Sequence, residues 1–563
     1  MPLPPDQGSD RRTFLKRGLA AAGSLAIGSP VDAATARRAH RRPGRFAQPS
    51  KAPNILVIVV DQLRTPIGPQ SRELFEAVMP NLAVLRQRSV SFERHFTASN
   101  DCSPSRSTLL TGLYTHQTGC MITGRSHLNP GFPTWGTLLR DMGYDTSWWG
   151  KWHLNPHANA SLEPYGFSGG TYPSPNGSPG QGTQMDPLIA GQFAEWFSES
   201  AGRGPWCTTV SFVNPHDVAW WYRLTEQIPQ ENSPPLLINQ MPTNFETPEQ
   251  LQAAAKPAVQ RSLQDTAARS FGAVPFTGPD ALPMWTSLLN TYLMLQANVD
   301  RQIGAVLRTL ATKPALAANT VVLFTSDHGE YGGAHGLRGK GAGAYEEAIR
   351  VPLYVFDPRS RRTRAPALPR HQLTSSVDVV ALLLSIATGS DSWRQESTFS
   401  HLADRADLAG ICANPIAPGR DWILHATDED VTEFASDPYA SEAPRHVLAL
   451  RTASAKLGVY CNWQAGGIEI LPGDQETELY DYANPAGRAE LENLAGGSVL
   501  EEELYATLID EALPGELRAP LPASLRHAYS KGMANYLAVE EYEAERVAYA
   551  HLPGSIEPVE TAG

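Results

Sequence analysis

Four apolar, β-rich runs in this chain close in the same manner, and that pattern constrains the fold more than any other feature. "NILVIVV" (54–60) is followed by Asp61 and Gln62, and the run 145–149 by Lys151 and His153, within a strand pattern "DTSWWGKWH" that extends to His153. "WCTTVSFV" (206–213) is followed by Asn214, His216 and Asp217, and "NTVVLFT" (319–325) by Asp327 and His328. A continuous apolar run suits a strand covered on both faces, as in a parallel sheet. Helical patterns lie between the runs: "PTWGTLLRDMGY", "SSVDVVALLLSIAT" and "NTYLMLQANVDRQIGAVLRTL". The last sets Tyr292, Leu295, Val299, Ile303, Val306 and Leu310 on one helix face. The expectation is an α/β fold with a large, mostly parallel sheet and helices on both sides. In such sheets ligands bind in the crevice outside the carboxyl ends of the strands. One Asp or Asn there would simply cap the next helix. Four polar endings together predict one shared site.

Asp61, Gln62, Asp327 and His328 offer oxygen ligands and one imidazole. That set suits a hard divalent cation, Ca2+ first, with Mg2+ or Mn2+ as alternatives. Arg106, Lys151, His153, His216 and Lys340 add cationic groups and proton carriers. Beyond residue 52 the chain holds 36 basic and 55 acidic side chains, a net charge of −19. Such a body excludes nucleic-acid binding by a general positive field, and any cluster of cations in it is local. A metal beside several cations describes a site for an anionic ester, where stabilising charge on sulfate or phosphate oxygens supplies the main rate effect. Within "CSPSRSTLLTG" (102–112), Pro104 suits the first turn of a helix. Cys102 then stands at a helix N-terminus, where a thiolate would be favoured and reactive. Arg106 lies one turn further on. On these residues alone the thiol is open to four roles: nucleophile, metal ligand, disulfide half or inert core group.

The 563 residues, 42% hydrophobic and 18% charged, fit a globular protein with one large domain and a smaller one. The stretch "DRRTFLKRGLAAAGSLAIGSPVDAATA" has the basic head, short apolar stretch and small residues of a secretory signal. Its Arg11–Arg12 pair resembles a twin-arginine signal, with cleavage expected near Ala34 or Ala36. The apolar stretch is too short for a stable membrane anchor, so the expected location is exported, periplasmic or secreted. Cys102, Cys120, Cys207, Cys412 and Cys461 show no CxxC and no zinc spacing, and their odd number leaves at least one unpaired. The expected layout is a signal (1–36), a basic linker (37–52), the large α/β domain (53–412), a small C-terminal α+β sheet domain (413–500) and an acidic, partly helical tail (501–563). In the small domain "WILHATD" and "HVLALRTASAKLGVYCNW" read as strands.

"CSPSRSTLLTG" matches the sulfatase signature C-x-P-S-R-x-x-x-L-T-G at every position. "PNILVIVVDQ", "GYDTSWWGKWHL", "NPHDV", "TSDHGEYGGAHGL", "GKGAGAYEEAIRVPL" and "TELYDYANPAGRAELENLA" follow the order of that family's landmarks. Over about residues 53–500 the chain resembles a cysteine-type sulfatase of the alkaline phosphatase superfamily. The resemblance implies that a formylglycine-generating enzyme oxidises Cys102 to formylglycine. One hydroxyl of the hydrated aldehyde attacks sulfur, and the other then expels sulfate. It also implies roles for the residues already singled out. Asp61, Gln62, Asp327 and His328 hold the metal, with the modified Cys102 as a further ligand. Arg106 and Lys151 steady the formylglycine, and His153 takes the proton of its second hydroxyl. His216 and Lys340 bind the sulfate, one of them protonating the leaving oxygen, while Ser105 and His335 support the site from behind. The twin-arginine translocase, a carrier of folded proteins, allows modification and metal loading before export.

The expected function is therefore an exported sulfatase acting on a sulfate monoester, of a small molecule or a glycan. By the same resemblance, Gln62 and His328 stand where many arylsulfatases have Asp and Asn, a combination closer to choline sulfatases and phosphonate monoester hydrolases. The rival reading is thus a formylglycine-dependent phosphodiesterase or phosphonate monoester hydrolase, which "PSR" disfavours. A non-catalytic binding protein is disfavoured by the complete set of strand-end residues. The stretch after Asp217 and the Pro-rich insert 228–251 are expected to shape the mouth of the site, while Trp220 and Trp221 read equally as groups stacking on a substrate there or as core.

Overall fold

Asn54–Asp61 forms β1, the middle strand of a seven-stranded sheet, and all eight of its residues are buried. The computed structural model describes residues 52–202, 204–222, 236–360, 369–431, 433, 435, 438–440, 443–464, 467–471, 473 and 475–550, the side chains of 540 and 542–550 excepted. The expected signal, nearly all of the linker, the first part of the Pro-rich insert and the end of the tail lie outside the described residues. Across the sheet the order is β2 (Val90–Phe92), β8 (Leu353–Phe356), β7 (Thr320–Ser326), β1, β6 (Trp206–Pro215), β4 (Asp145–Gly150) and β5 (Ser168–Gly169). Only β8 runs against the others. Beside this sheet β3 (His95–Phe96) and β9 (Thr374–Ser375) make a short parallel pair.

Strand β1 shows why the continuous apolar run was needed. Ile55, Val57 and Val59 point to one face, against Leu109 and Leu110 of α1 (Cys102–Thr111), Leu138 and Leu139 of α2 (Trp135–Asp141) and Leu382 and Leu383 of α5 (Val379–Thr388). Leu56, Ile58 and Val60 point to the other, against Phe193 and Phe197 of α3 (Gln181–Ser200) and Val299, Ile303 and Val306 of α4 (Ala281–Ala311). Each such side chain contributes roughly 1.5–3 kcal/mol by burial, so neither face tolerates a polar residue. The helix face read on α4 is the buried one throughout.

Two elements are shorter than expected. Helix α2 begins at the cap of Thr134, whose Oγ1 accepts from the backbone N–H of Gly136 at 3.0 Å, and it ends before Gly143, which has φ +86°. Strand β4 stops at Gly150 rather than running on to His153. Gly150 has φ +102° and lies so close to β6 that a Cβ would sit 1.9 Å from the Ser211 carbonyl. The chain turns there, and Lys151 enters the site instead of the sheet.

The second sheet is antiparallel in the order β10 (Trp422–Thr427), β11 (His446–Thr452), β12 (Ala455–Cys461) and β13 (Glu476–Asp481). The tail packs on it. Leu504 of α6 (Val499–Ala506) and then Leu508, Leu513 and Leu517 join Leu424, Leu448 and Leu457 in one apolar cluster. The following helix, α7 (Arg526–Ala550), returns to the large domain, where Met533 and Tyr536 pack on Met121 and Ile122. Backbone meets backbone at this crossing: a Cβ on Gly532 would lie 2.1 Å from the Thr118 carbonyl, and one on Gly119 would lie 2.2 Å from Gly532. Gly532→Ala is expected to lift the helix at a cost of about 1–3 kcal/mol. A lower Tm and faster proteolytic trimming of the tail would show it; an unchanged Tm would refute this account of the crossing. Among the described residues no helix is long and apolar enough to cross a membrane.

Candidate active site

The carboxyl ends of β1, β4, β6 and β7 converge on the N-terminus of α1. All ten residues of α1 are buried, and Gly112, with φ +68°, closes the helix. Cys102 is fully buried. Its Sγ lies 3.7 Å from both carboxylate oxygens of Asp61, 3.2 Å from Nε2 of His328, and 3.4 Å from each Nζ of Lys151 and Lys340. Arg106 reaches past the thiol rather than to it. Its Nη2 donates to Asp61 Oδ2 and its Nε to Asp327 Oδ2, both at 2.9 Å. Its Nη1 donates to the Lys151 carbonyl at 2.8 Å and to Ser211 Oγ at 3.0 Å. One side chain therefore ties α1 to the ends of β1, β4 and β7 and to Ser211 within β6. Ser105 adds a bond from Oγ to the Asp327 carbonyl.

Asp61, Cys102, Asp327 and His328 place their ligand atoms within 4.8 Å of one another. The Nδ1 of His328 lies 3.0 Å from the Gly329 carbonyl, so Nδ1–H donates there and Nε2 presents its lone pair to the group. Gln62 sits at φ +69° beside them; its backbone N–H donates to Asp327 Oδ1 at 3.1 Å, and its Oε1 accepts from Lys340 at 3.1 Å. Two carboxylates, an amide oxygen and an imidazole are donors that fit a hard divalent cation.

Electrostatics here run against one expectation. A helix N-terminus should favour a thiolate at Cys102, but burial and the nearby Asp61 and Glu433 carboxylates push its pKa well above the usual value. Burial alone would also raise Asp61; Lys151, His216, Arg106 and His328 outweigh it and hold this carboxylate well below its ordinary range. Burial would strip Lys340 of its proton, yet Cys102, Glu433, Asp101 and Asp61 keep its pKa well above normal. His216 moves the other way, to about 4, through burial and then the positive charges of Lys340 and Lys151. His153 falls well below 6.5 by burial and the charge of Lys151. Both imidazoles are neutral at pH 7.

Glu433 is the group the sequence reading missed. Its Oε2 is 2.6 Å from Lys340 Nζ, 3.0 Å from His216 Nε2 and 3.3 Å from Cys102 Sγ. The signal, an acidic stretch directly after a strand, reads as a solvated charge run until the fold places it. Other residues go elsewhere. Asp217 caps α3, its Oδ1 accepting from Gly182 N–H at 3.0 Å. His335 lies in a separate buried cluster, with Nδ1 2.6 Å from Glu246 Oε2 and its ring stacked on Tyr345, so it is not brought to this site. Trp220 and Trp221 are buried, their indole N–H groups donating to the Gly177 carbonyl and to Ser287 Oγ. The core reading holds for both, although Trp221 also edges a recess next to Lys340. The five cysteines form no disulfide. On the side of His153 a second recess opens, lined by His127, Trp152, Asn155, His157 and Asn176.

Strand-end carboxylates, two lysines and a cysteine on a helix N-terminus thus meet in one buried cluster. Comparison with known proteins gives the class. The model of the sulfatase family matches residues 53–390. The chain belongs to the sulfatase family, within the alkaline phosphatase superfamily, and is a sulfuric ester hydrolase. It is 26% identical over 486 residues to the choline-sulfatase of Rhizobium meliloti, covering 77% of this chain and 83% of that one. It is 27% identical over 388 residues to the uncharacterized sulfatase YidJ of Escherichia coli, covering 60% and 68%. Two solved structures share the fold. BT1596, a 2-O GAG sulfatase, has a TM-score of 0.61 at 19% identity, with 85% and 96% of the chains covered. The phosphonate monoester hydrolase SpPMH of Silicibacter pomeroyi has a TM-score of 0.59 at 20% identity, with 84% and 96% covered.

Proposed function

We propose that the protein is an exported sulfatase that hydrolyses a sulfate monoester, using formylglycine made from Cys102 and a Ca2+ ion held by Asp61, Gln62, Asp327 and His328. The observation that carries this reading is Cys102 at the start of α1, 3.4 Å from two lysines and 3.7 Å from a carboxylate. Formylglycine supplies a nucleophile with a second hydroxyl for releasing the sulfate, and the cation supplies Lewis-acid stabilisation of sulfate oxygens.

The chain's own residues do the rest. Arg106 fixes Asp61 and Asp327 in place. Lys151 and Lys340 set positive charge on either side of residue 102, where the charge of the sulfuryl group develops. Lys340 carries the proton for the leaving oxygen, because it is a charged donor beside residue 102 while His216 is neutral. His216 hydrogen-bonds the sulfate, and neutral His153 is in the form that accepts a proton. The alcohol faces the recess beside His153, whose amide and imidazole groups suit a polar alcohol. Similarity to a choline-sulfatase puts choline sulfate first in a substrate panel, and the phosphonate monoester hydrolase fold puts a phosphonate monoester in it as the rival. The same reading assigns 1–36 to a twin-arginine leader, 37–52 to a linker, 53–412 to catalysis, 413–500 to the small domain and 501–563 to the tail.

The test is protein made beside a formylglycine-generating enzyme and purified with Ca2+, Mg2+ or Mn2+. The peptide bearing Cys102 should be lighter by about 18 Da than its thiol form, and sulfate should be released from the panel. An intact thiol on folded, metal-loaded protein would remove this mechanism. Faster cleavage of the phosphonate ester than of any sulfate ester would install the rival.

A further inference from the structure

Glu433 reaches the site from the chain that follows β10, and it occupies the middle of the cations. Its Oε2 accepts from Lys340 at 2.6 Å and from His216 at 3.0 Å, and lies 3.3 Å from Cys102 Sγ. Its Oε1 lies 3.8 Å from His153 Nδ1. The side chain is only 7% exposed. Lys340 and His216 are the groups assigned above to the sulfate, and Cys102 is the atom the sulfur must approach. The carboxylate therefore stands where the ester's anionic oxygens have to go, and two anions do not share one set of donors.

The contact is not needed to hold its stretch of chain in place. Asp430 pairs with Arg125 at 2.9 Å, and Glu429 Oε1 accepts from the Thr123 N–H at 2.7 Å. Both anchor the same stretch to the segment after α1. Lys151 already has Asp61 at 2.8 Å, whereas the carboxylate in contact with Lys340 among the described residues is Glu433; a buried cation left without a counter-charge is costly.

We propose that Glu433 is an internal competitor for the sulfate seat, an autoinhibitory carboxylate that the sulfate group of the substrate displaces by rotation of its side chain. The proposal rests on the assignment of Lys340 and His216 to the sulfate. A ligand meets only the fraction of molecules whose seat is free, and its apparent affinity falls by that fraction. A carboxylate seated nine times in ten thus weakens sulfate by about tenfold.

The experiment compares wild type, Glu433→Gln and Glu433→Ala, all metal-loaded, by calorimetric titration with inorganic sulfate and by steady-state kinetics on a sulfate ester. Glutamine keeps the shape and removes the charge; alanine removes the reach. The expected result is a sulfate Kd about tenfold lower in both variants, with KM for the ester lowered in parallel. Unchanged or weaker sulfate binding in both would overturn the proposal. So would a fall in kcat with sulfate affinity unchanged, which would make Glu433 part of the chemistry. Sulfate binding that is strong in wild type and insensitive to Lys340→Ala would overturn the assignment of the seat itself, and the proposal with it.

Discussion

Cys102→Ser protein will fold, and its steady-state release of sulfate will be lower by about four orders of magnitude or more. Folding survives because the exchange is nearly isosteric and a thiol's contacts, here 3.2 to 3.7 Å, are weak hydrogen bonds that a hydroxyl can replace. Chemistry does not survive, because a serine oxygen in the same place has only one hydroxyl. It attacks once and remains esterified, since nothing on residue 102 is left to expel the sulfate. The check is a time course with mass spectrometry: at most one equivalent of alcohol, with a gain of one SO3 unit per chain. Many turnovers by the serine variant would mean that the strand-end residues work without formylglycine, and the proposed role of Cys102 would fall.

Arg106→Met will cost about 3–5 kcal/mol of folding stability and abolish turnover. Methionine keeps much of the volume but none of the four hydrogen bonds to Asp61, Asp327, Lys151 and Ser211. Both carboxylates are buried to 1% exposure or less, so their charges lose a counter-charge that solvent cannot replace. Asp61 keeps Lys151 at 2.8 Å; Asp327 keeps the backbone N–H groups of Gln62 and His328, with the His328 ring 3.8 Å away. Added Ca2+ should recover part of the stability, because a divalent ion supplies the missing charge between the same carboxylates. Urea unfolding with and without Ca2+ measures both effects. A loss below about 1 kcal/mol would place Arg106 outside the framework of the site.

The sheet was legible because β1 carries an unbroken apolar run and β7 a nearly unbroken one, and only a strand covered on both faces needs that; β6, with Thr208, Thr209 and Ser211 inside it, is β-rich rather than purely apolar. The reversal of β8 was not legible, since the four residues "LYVF" carry no mark of direction. The endings of four strands announced the site, as polar groups directly after buried runs must be paid for by a ligand or a partner. The state of Cys102 was misjudged because a helix N-terminus is visible in sequence whereas a carboxylate 3.7 Å away, from a strand 41 residues earlier, is not. Glu433 stayed hidden for the same reason: its partners Lys340 and His216 lie 93 and 217 residues away. Trp220 and Trp221 were evenly open because an aromatic pair looks the same in a core and at a mouth.

Helix α1 is buried along its whole length, and the turn that follows it is covered where Gly532 crosses Gly119. An enzyme that must handle Cys102 as an accessible peptide can do so only before this helix closes. About 430 residues separate Cys102 from Gly532, which at roughly 5–20 residues per second is roughly 20–90 s of synthesis. Until α7 is made, the segment around Gly119 lacks its cover. If Cys102 is modified as proposed, the order of translation gives that step an interval that closes as α7 is made and covers the segment around Gly119.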